Sequence, residues 1–229
     1  MFNDNLLFRV EDLVNNPTAR VPVCLCLDTS GSMEGTPINE LKAGVKAFYD
    51  AIKQDEMALY AAEVSIITFG GGVNCIEDFS NIERQNSNHN LRATGGTPIG
   101  EAVNMALDLL EKRKQEYKDK GVDYFQPWLV LMTDGQPNGS MAELERAINR
   151  TNTLVNNKNL TIFPIGIGSD ADMNVLKRFS PKRKPLRLNG LKFREFFQWL
   201  SKSVSQTSQS IPGENIPLDV EGIKTWATL

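Results

Sequence analysis

Apolar residues occur along the chain in short runs, each about as long as one β-strand. The first, VPVCLCL at Val21–Leu27, is almost continuously apolar and ends in Asp28. A continuous run, rather than an alternating one, is typical of a parallel strand covered on both faces. The other runs of this kind are Glu63–Phe69, Trp128–Thr133, Leu160–Ile167 and Leu186–Leu188. Pro164 weakens the run that contains it as a fully paired interior strand, because proline has no N–H to donate.

Between these runs the apolar positions change to the three- and four-residue spacing of helices. The four stripes are Ile38, Leu41, Val45, Phe48, Ile52; Ile99, Val103, Ala106, Leu107, Leu110; Leu144, Ala147, Ile148, Leu154, Val155; and Phe193, Phe196, Phe197, Leu200, Val204. Met173–Phe179 shows a weaker pattern, and Asn74–Phe79 indicates a short antiparallel edge strand. This alternation predicts an α/β fold with a doubly wound, mostly parallel sheet, one short antiparallel edge strand and helices on both faces.

Three helix starts carry local signals. Thr36 and Thr97 are each followed by proline, so we expect the threonine hydroxyl to cap the helix and the proline to take the first helical position. Ser140 and Glu143 have the spacing of a capping box.

The length and composition fit one domain with a large core, since 41% of the 229 residues are apolar. We expect residues 1–20 to form an N-terminal extension, residues 21–205 the domain, and residues 206–229 a tail that packs on the domain. Apolar residues in this tail favour burial. They are Ile216, Leu218, Val220, Ile223 and Trp226.

The charge balance argues against a polyanionic partner. Twenty-five Lys and Arg against 28 Asp and Glu give a net charge of −3, so we expect no nucleic-acid binding. We also expect no membrane insertion, because no apolar run is long enough to span a bilayer. Cys24, Cys26 and Cys75 form no even disulfide framework, which predicts buried free thiols and a cytoplasmic location.

Two of the predicted strands end in aspartate, and these aspartates are the first candidates for a site. Asp28 follows the first strand run and Asp134 follows the third. Ligands of open α/β sheets bind beyond the carboxyl ends of the strands, where the strand order reverses. Two carboxylates meeting there repel each other unless a cation lies between them. Ser30, Ser32 and Thr97 add neutral hydroxyl donors, which favour Mg²⁺, with Mn²⁺ and Ca²⁺ as alternatives.

The local pattern leaves open which threonine supplies the third hydroxyl. GTPINE at Gly35–Glu40 nearly repeats GTPIGE at Gly96–Glu101, so Thr36 and Thr97 are both candidates. Each is equally well explained as a helix cap that satisfies free backbone N–H groups.

Three motifs together resemble the metal-ion-dependent adhesion site of von Willebrand factor A domains. They are DTSGS at Asp28–Ser32, GGT at Gly95–Thr97 and TDG at Thr133–Gly135, and the resemblance covers Val21 to about Val204. It implies a Rossmann-like fold and a non-catalytic module whose metal captures an Asp or Glu carboxylate of a protein partner. It also leaves Thr36 as a helix cap. The metal ligands it implies are Asp28, Ser30, Ser32, Thr97 and Asp134.

The longer context resembles the bacterial TerY-like branch of this family, which is associated with tellurium resistance. The segments concerned are NNPTARVPVCLCLDTSGSM, ATGGTPIGEAV and LMTDGQPNG. This resemblance implies a cytoplasmic adaptor or scaffold of a stress-response system. The implied partner is a kinase-like or phosphatase-like protein of the same system.

Three enzymatic alternatives have weaker support. Asp28 could be the nucleophile of a haloacid-dehalogenase-like phosphatase, but Ser30 stands where that family has its general acid. A serine hydrolase needs a base, and the single histidine, His89, lies in the polar run NSNHNL, which we expect to be a solvated loop. GIGSDA at Gly166–Ala171 fits a dinucleotide pattern, but the next strand lacks the acidic residue expected at its end.

Overall fold

A seven-stranded sheet forms the centre of the molecule in the computed structural model, which describes residues 12–214 and 222–228. The strands are β1 (Val21–Asp28), β2 (Ala62–Phe69), β3 (Val73–Asn81), β4 (Trp128–Thr133), β5 (Thr161–Ile167), β6 (Leu186–Leu188) and β7 (Ala227–Thr228). Their order is β3-β2-β1-β4-β5-β6-β7. Neighbouring strands are parallel, except that β3 is antiparallel to β2 and β7 to β6. The predicted mostly parallel α/β fold, with β3 as an antiparallel edge strand, is confirmed.

Helices cover both faces of this sheet. They are α1 (Thr36–Lys53), α2 (Glu56–Ala61), α3 (Ile99–Lys120), α4 (Met141–Asn156), α5 (Met173–Phe179) and α6 (Phe193–Ser208), with short 3-10 turns at Gly31–Met33, Ile82–Arg84 and Gly222–Thr225. Alternate residues of β1 enter different cores, as the two-residue period of a strand requires. Val23 and Leu25 pack with α1 and α6, whereas Cys24 and Cys26 pack with α3 and α4. Every residue of β1 is therefore buried.

The strand order reverses between β1 and β4. From β1 the chain moves outward to β2 and β3, and it then returns to the other side of β1 to form β4 and continue through β5 and β6. Side chains at the carboxyl ends of β1 and β4 consequently face one crevice, which is the usual ligand position in such sheets.

Two of the three predicted helix caps are wrong. Gly35, with a φ of 85°, is the N-cap of α1, and Pro98 is the N-cap of α3; neither helix has a side-chain cap. The chain thus enters α1 one residue before Thr36 and enters α3 one residue after Thr97, so neither hydroxyl is in the capping position. The Ser140 cap of α4 is confirmed, because its Oγ accepts from the N–H three residues later at 3.3 Å.

Helix α2 and strand β7 are short elements that were not predicted, as are the 3-10 turns. Helix α2 begins after Asp55, whose carboxylate accepts hydrogen bonds from the first free N–H groups of the helix. Strand β7 pairs antiparallel with β6 over two residues. Pro164 is tolerated in β5 because β6 pairs with β5 only from Ile165 onward. The edge of β5 that faces β6 is therefore unpaired at the proline.

Two predictions about single side chains are also wrong: that His89 is solvated and that Cys75 is buried. The side chain of His89 is only 8% exposed, with its ring 5.0 Å from that of Tyr49 and its Nε2 3.6 Å from Glu77 Oε2. Helix α1 supplies this cover from a distant part of the chain. Cys75 is exposed on the edge strand, whereas the two cysteines of β1 are buried; all three are free thiols.

A buried ionic network lies at the opposite end of the sheet from the crevice. Glu63 accepts hydrogen bonds from Arg113 at 2.6 and 2.8 Å and from Tyr117 at 2.7 Å. Arg20 donates to the same carboxylate at 3.2 Å and also to the backbone carbonyls of Thr18 and of residues 12 and 16. The network therefore fastens the residues before β1 to α3.

The last described residues pack on the core that α1 and α6 form with the sheet. Trp226 is buried with its ring 5.5 Å from that of Phe196, and Ile223 is buried beside it. The tail residues Ile216, Leu218 and Val220 lie outside the described residues. Within the described part of the chain, no helix has the length and apolarity needed to cross a membrane.

Candidate metal centre

Asp28 is held at the end of β1 by two neutral groups. The Ser30 N–H donates to Asp28 Oδ1 at 2.8 Å, and Thr133 Oγ1 donates to Asp28 Oδ2 at 2.5 Å. The side chain is fully buried, and burial raises the pKa of its carboxyl above the ordinary value. The hydrogen bonds from Ser30 and Thr133 oppose that rise, and the nearby Asp134 charge adds to it.

Three oxygen-bearing side chains gather next to Asp28. Ser30 Oγ and Ser32 Oγ are 3.0 Å apart, and both hydroxyls donate to Asp134 Oδ1, at 3.5 and 2.8 Å. Ser30 is buried, Asp134 is half-buried and Ser32 is exposed. The cluster therefore extends from the buried end of β1 to the surface.

Thr97 lies in the loop before α3, close to the residue that follows Asp134. It is 5% exposed, and its Oγ1 lies 3.6 Å from where a Cβ would stand on Gly135, the residue after Asp134. The Gly31 N–H also donates to the Gly95 carbonyl at 2.9 Å. This bond joins the loop that follows β1, residues 29–35 (the first loop), to the loop that precedes α3, residues 94–98 (the Thr97 loop). Thr36, by contrast, is exposed at the start of α1. The structure thus places the Thr97 hydroxyl beside the loop that follows β4, and this hydroxyl caps no helix.

The loop before α3 also lies in close backbone contact with the turn between β2 and β3, which contains Gly71. Gly95 has a φ of 66°, and a Cβ there would lie 2.4 Å from Gly71 Cα. The separation leaves no room for a side chain, and the positive φ favours glycine. The Thr94 N–H next to it donates to the Thr29 carbonyl at 2.8 Å, so the Thr97 loop is also anchored to the first loop.

The donor set fits a hard divalent cation. It comprises two carboxylates and three hydroxyls, all of them oxygen donors, and oxygen ligands suit Mg²⁺, Mn²⁺ and Ca²⁺. Within residues 12–214 and 222–228 no three His, Cys, Asp or Glu side chains come together in a way that could hold a metal ion, so a metal at this site depends on the hydroxyl groups. The buried carboxylate of Asp28, whose hydrogen-bond partners are neutral, is compensated best by a positive ion nearby.

The structure also gives the surroundings of two alternative sites, the GIGSDA segment and His89. Arg187 donates to the carbonyls of Gly168 and Ala171, so the GIGSDA segment is a turn closed by an arginine before the seven-residue helix α5. His89 packs against Tyr49 and Glu77 rather than against either serine of the first loop. A nucleophilic serine therefore has no base supplied by this histidine.

Sequence reasoning missed three residues that support the site. Thr133 orients Asp28, Asn138 binds the backbone of Thr97, and Glu101 binds the N–H of Ser140. Thr133 is part of the TDG motif, and this position could have signalled its role. Asn138 and Glu101 carry no local signal, since their contacts join residues 41 and 39 positions apart.

Comparison with known proteins shows which family the chain is similar to. Among curated proteins, the uncharacterized protein sll0103 of Synechocystis sp. is 24% identical over 69% of this chain and 35% of its own length. Inter alpha-trypsin inhibitor, heavy chain 4 of Mus musculus is 28% identical over 72% of this chain and 17% of its own. The chain thus spans about a third or less of these relatives.

Solved structures share the fold at low identity. A von Willebrand factor type A protein from Catenulispora acidiphila has a TM-score of 0.64 and 20% identity over 82% of this chain and 43% of its own. Proximal thread matrix protein 1 from the mussel byssus, with a zinc-occupied MIDAS motif, has a TM-score of 0.56 and 17% identity over 82% and 48%. The family model for the von Willebrand factor type A domain matches residues 23–196. This chain therefore belongs to the von Willebrand factor type A domain family.

Proposed function

We propose that this protein is a metal-dependent protein-binding module that captures a carboxylate of a partner protein. The metal ligands in this proposal are Asp28, Ser30, Ser32, Thr97 and Asp134. The observation that carries it is the cluster of Ser30, Ser32 and Asp134 oxygens beside the buried Asp28 carboxylate, at the point where the strand order reverses.

The buried and the accessible residues of the cluster have different roles in this mechanism. Asp28 fixes the first loop through the Ser30 N–H, and Thr133 holds the orientation of Asp28. Ser32 and Asp134 lie on the accessible side, where a partner can approach. When bound, the ion supplies a Lewis-acidic position at which a partner Asp or Glu oxygen replaces water. The three hydroxyls carry no formal charge, so the site retains an affinity for an added anion.

We propose Mg²⁺ as the resident metal, with Mn²⁺ and Ca²⁺ as alternatives. All five donors are oxygens, and two of them are carboxylates, which is the pattern that Mg²⁺ uses in proteins. Zn²⁺, found at this motif in the mussel protein, more often takes nitrogen or sulfur ligands.

The sequence context supports a more specific biological setting. The TerY-like segments around the three motifs favour a cytoplasmic adaptor in a tellurium-resistance or other stress-response system. A kinase-like or phosphatase-like protein of that system is the proposed partner. Phosphatase activity with Asp28 as nucleophile is disfavoured, because the hydroxyl of Ser30 cannot act as a general acid near neutral pH.

The test is a calorimetric titration of Mn²⁺ into the wild type, Asp134→Asn and Asp123→Asn. Asp123 is exposed near the opposite end of the sheet and serves as the matched control. We expect one site per chain in the wild type and the control and at least a tenfold loss of affinity in Asp134→Asn. Equal binding by all three variants would place the metal elsewhere.

A second step tests partner capture and the enzymatic alternative. The immobilised protein is incubated with native lysate in Mg²⁺ or in chelator, and we expect a bound protein that the chelator releases and that Asp134→Asn does not retain. Hydrolysis of an aryl phosphate by the wild type but not by Asp28→Asn would instead favour the phosphatase.

A further inference from the structure

The position of Thr97 is weakly determined by its own segment. Two glycines, Gly95 and Gly96, precede it, and Pro98 follows it as the N-cap of a helix without a side-chain cap. Glycines allow many backbone conformations, so this sequence alone leaves the threonine hydroxyl free to move. A ligand that has to meet an ion at one fixed distance needs support from elsewhere.

Asn138, in the loop that follows β4, supplies that support. Its side-chain Oδ1 accepts a hydrogen bond from the Thr97 N–H at 2.5 Å. Its backbone N–H donates to the Thr97 carbonyl at 3.2 Å. Asn138 thus binds both the N–H and the carbonyl of Thr97. A Cβ on Gly96 would lie 2.6 Å from Asn138 Oδ1, so glycine at that position lets the amide approach.

Glu101, in the first turn of α3, fixes the other end of the same loop. Its Oε1 accepts from the Ser140 N–H at 2.7 Å, which is the bond that Glu143 would make in an ordinary capping box. A Cβ on Gly139 would lie 2.6 Å from Glu101 Oε2. The α3 helix and the loop after β4 therefore hold each other through Asn138 and Glu101.

We propose that Asn138 and Glu101 are positioning residues of the metal centre, which lock the loop of residues 136–140 against Thr97 and thereby hold the Thr97 hydroxyl at the ion. This inference rests on the proposed function. Because Asp134 leads directly into the same loop, the lock also fixes the distance between the Thr97 and Asp134 ligands. Outer-shell partners of this kind typically contribute 10- to 100-fold to metal affinity.

The main test compares Mn²⁺ affinities of Asn138→Ala and Asn138→Asp by calorimetry, with Gln136→Ala as the matched control. Gln136 is exposed on the same loop. We expect Asn138→Ala to bind Mn²⁺ about 10- to 100-fold more weakly than the wild type, and the control to bind it equally well. Asn138→Asp keeps an acceptor for the Thr97 N–H and should restore the affinity.

Restoration by aspartate could also arise from its added charge, and the double variant Gln136→Glu with Asn138→Ala separates the two causes. It adds the charge to the loop without an acceptor at Thr97, so we expect its affinity to stay low. Recovery in this variant would overturn the inference. Unfolding midpoints in chelator identify a variant that is merely unfolded, and Gly96→Ala, which displaces the Asn138 amide, is then the second variant that should lose affinity.

The Mn²⁺ affinity of the wild type distinguishes failure of the proposed function from failure of the positioning role alone. If the wild type binds no Mn²⁺, the proposed function fails. If the wild type binds Mn²⁺ and Asn138→Ala binds it equally tightly, only the positioning role is refuted.

Discussion

The substitution Asp28→Asn should have opposite effects on stability with and without metal. Asparagine has the shape of aspartate, and its Oδ1 can still accept from the Ser30 N–H. Its Nδ2 can donate to Thr133 Oγ1, because a hydroxyl accepts as well as donates. The variant therefore keeps both hydrogen bonds of Asp28 and removes only the buried charge.

In chelator we expect Asp28→Asn to be at least as stable as the wild type. Burial raises the pKa of the Asp28 carboxyl in the folded protein. A group whose folded pKa is raised contributes stability at low pH that is lost as the pH rises through the folded pKa. The metal-free wild type should consequently lose stability relative to the variant between the ordinary aspartate pKa and neutral pH.

In saturating metal the order should reverse. A ligand that binds only the folded state at 100 times its Kd stabilises that state by about 2.7 kcal/mol. For a chain of this size each kcal/mol shifts the Tm by roughly 2–4 °C, so the wild type should gain about 5–11 °C. Asp28→Asn should gain almost nothing.

The assay is thermal unfolding of both proteins at pH 5 and pH 7, in chelator and across a Mg²⁺ and Mn²⁺ titration. The expected signature is a crossing of the two stability curves as metal is added. An equal rise in both proteins would refute the assignment of Asp28 to the metal. A variant several degrees less stable than the wild type in chelator would show that the charge itself is needed for folding.

Three further outcomes follow from the contacts. Thr97→Ala should lose the metal-induced rise in Tm, while Thr36→Ala should keep it. The unfolding free energy of Thr36→Ala should also lie within about 0.5 kcal/mol of the wild-type value, because Thr36 caps no helix. The reverse result would transfer the ligand role to Thr36. Glu63→Gln should lower the unfolding free energy measured by urea by about 3–5 kcal/mol, since it removes the buried carboxylate that Arg113 and Arg20 share and leaves Arg113 only the partly exposed Glu116, and it should leave the Mn²⁺ affinity of the folded protein unchanged. Trp226→Ala should cost about 3–5 kcal/mol in the same assay through lost packing, and a cost below 1 kcal/mol would mean that the end of the chain adds little to the core.

Much of the sheet could be predicted from sequence because its strands are buried on both faces. In β1 and β4 every residue is buried, and all are apolar except the last of each strand, Asp28 and Thr133, so the run itself indicated the strand. The α1, α3, α4 and α6 stripes were equally clear, because each helix has one face against the sheet and the other toward solvent.

Elements that depend on distant contacts could not be predicted in the same way. The two residues of β7 form a strand only because β6 offers an edge for pairing. The polar surroundings of His89 suggested a solvated loop, but Tyr49 of α1 covers the ring. Local sequence contains no information about either contact.

The candidate site shows the same division. Asp28, Ser30, Ser32 and Asp134 were proposed together because they follow strand ends, and parallel strands place such residues at one edge of the sheet. The choice between Thr36 and Thr97 rested on the family resemblance, since the two local sequences are nearly the same. The support from Asn138 and Glu101 emerged only from the packing of one loop against another.

The most direct test of the metal centre is an anomalous difference map at the manganese edge from crystals grown with Mn²⁺. A single strong peak within bonding distance of Ser30 Oγ, Ser32 Oγ and Asp134 is predicted, and it should disappear in crystals of Asp134→Asn. A map with no peak at this position, or with manganese bound only elsewhere on the chain, would contradict the account.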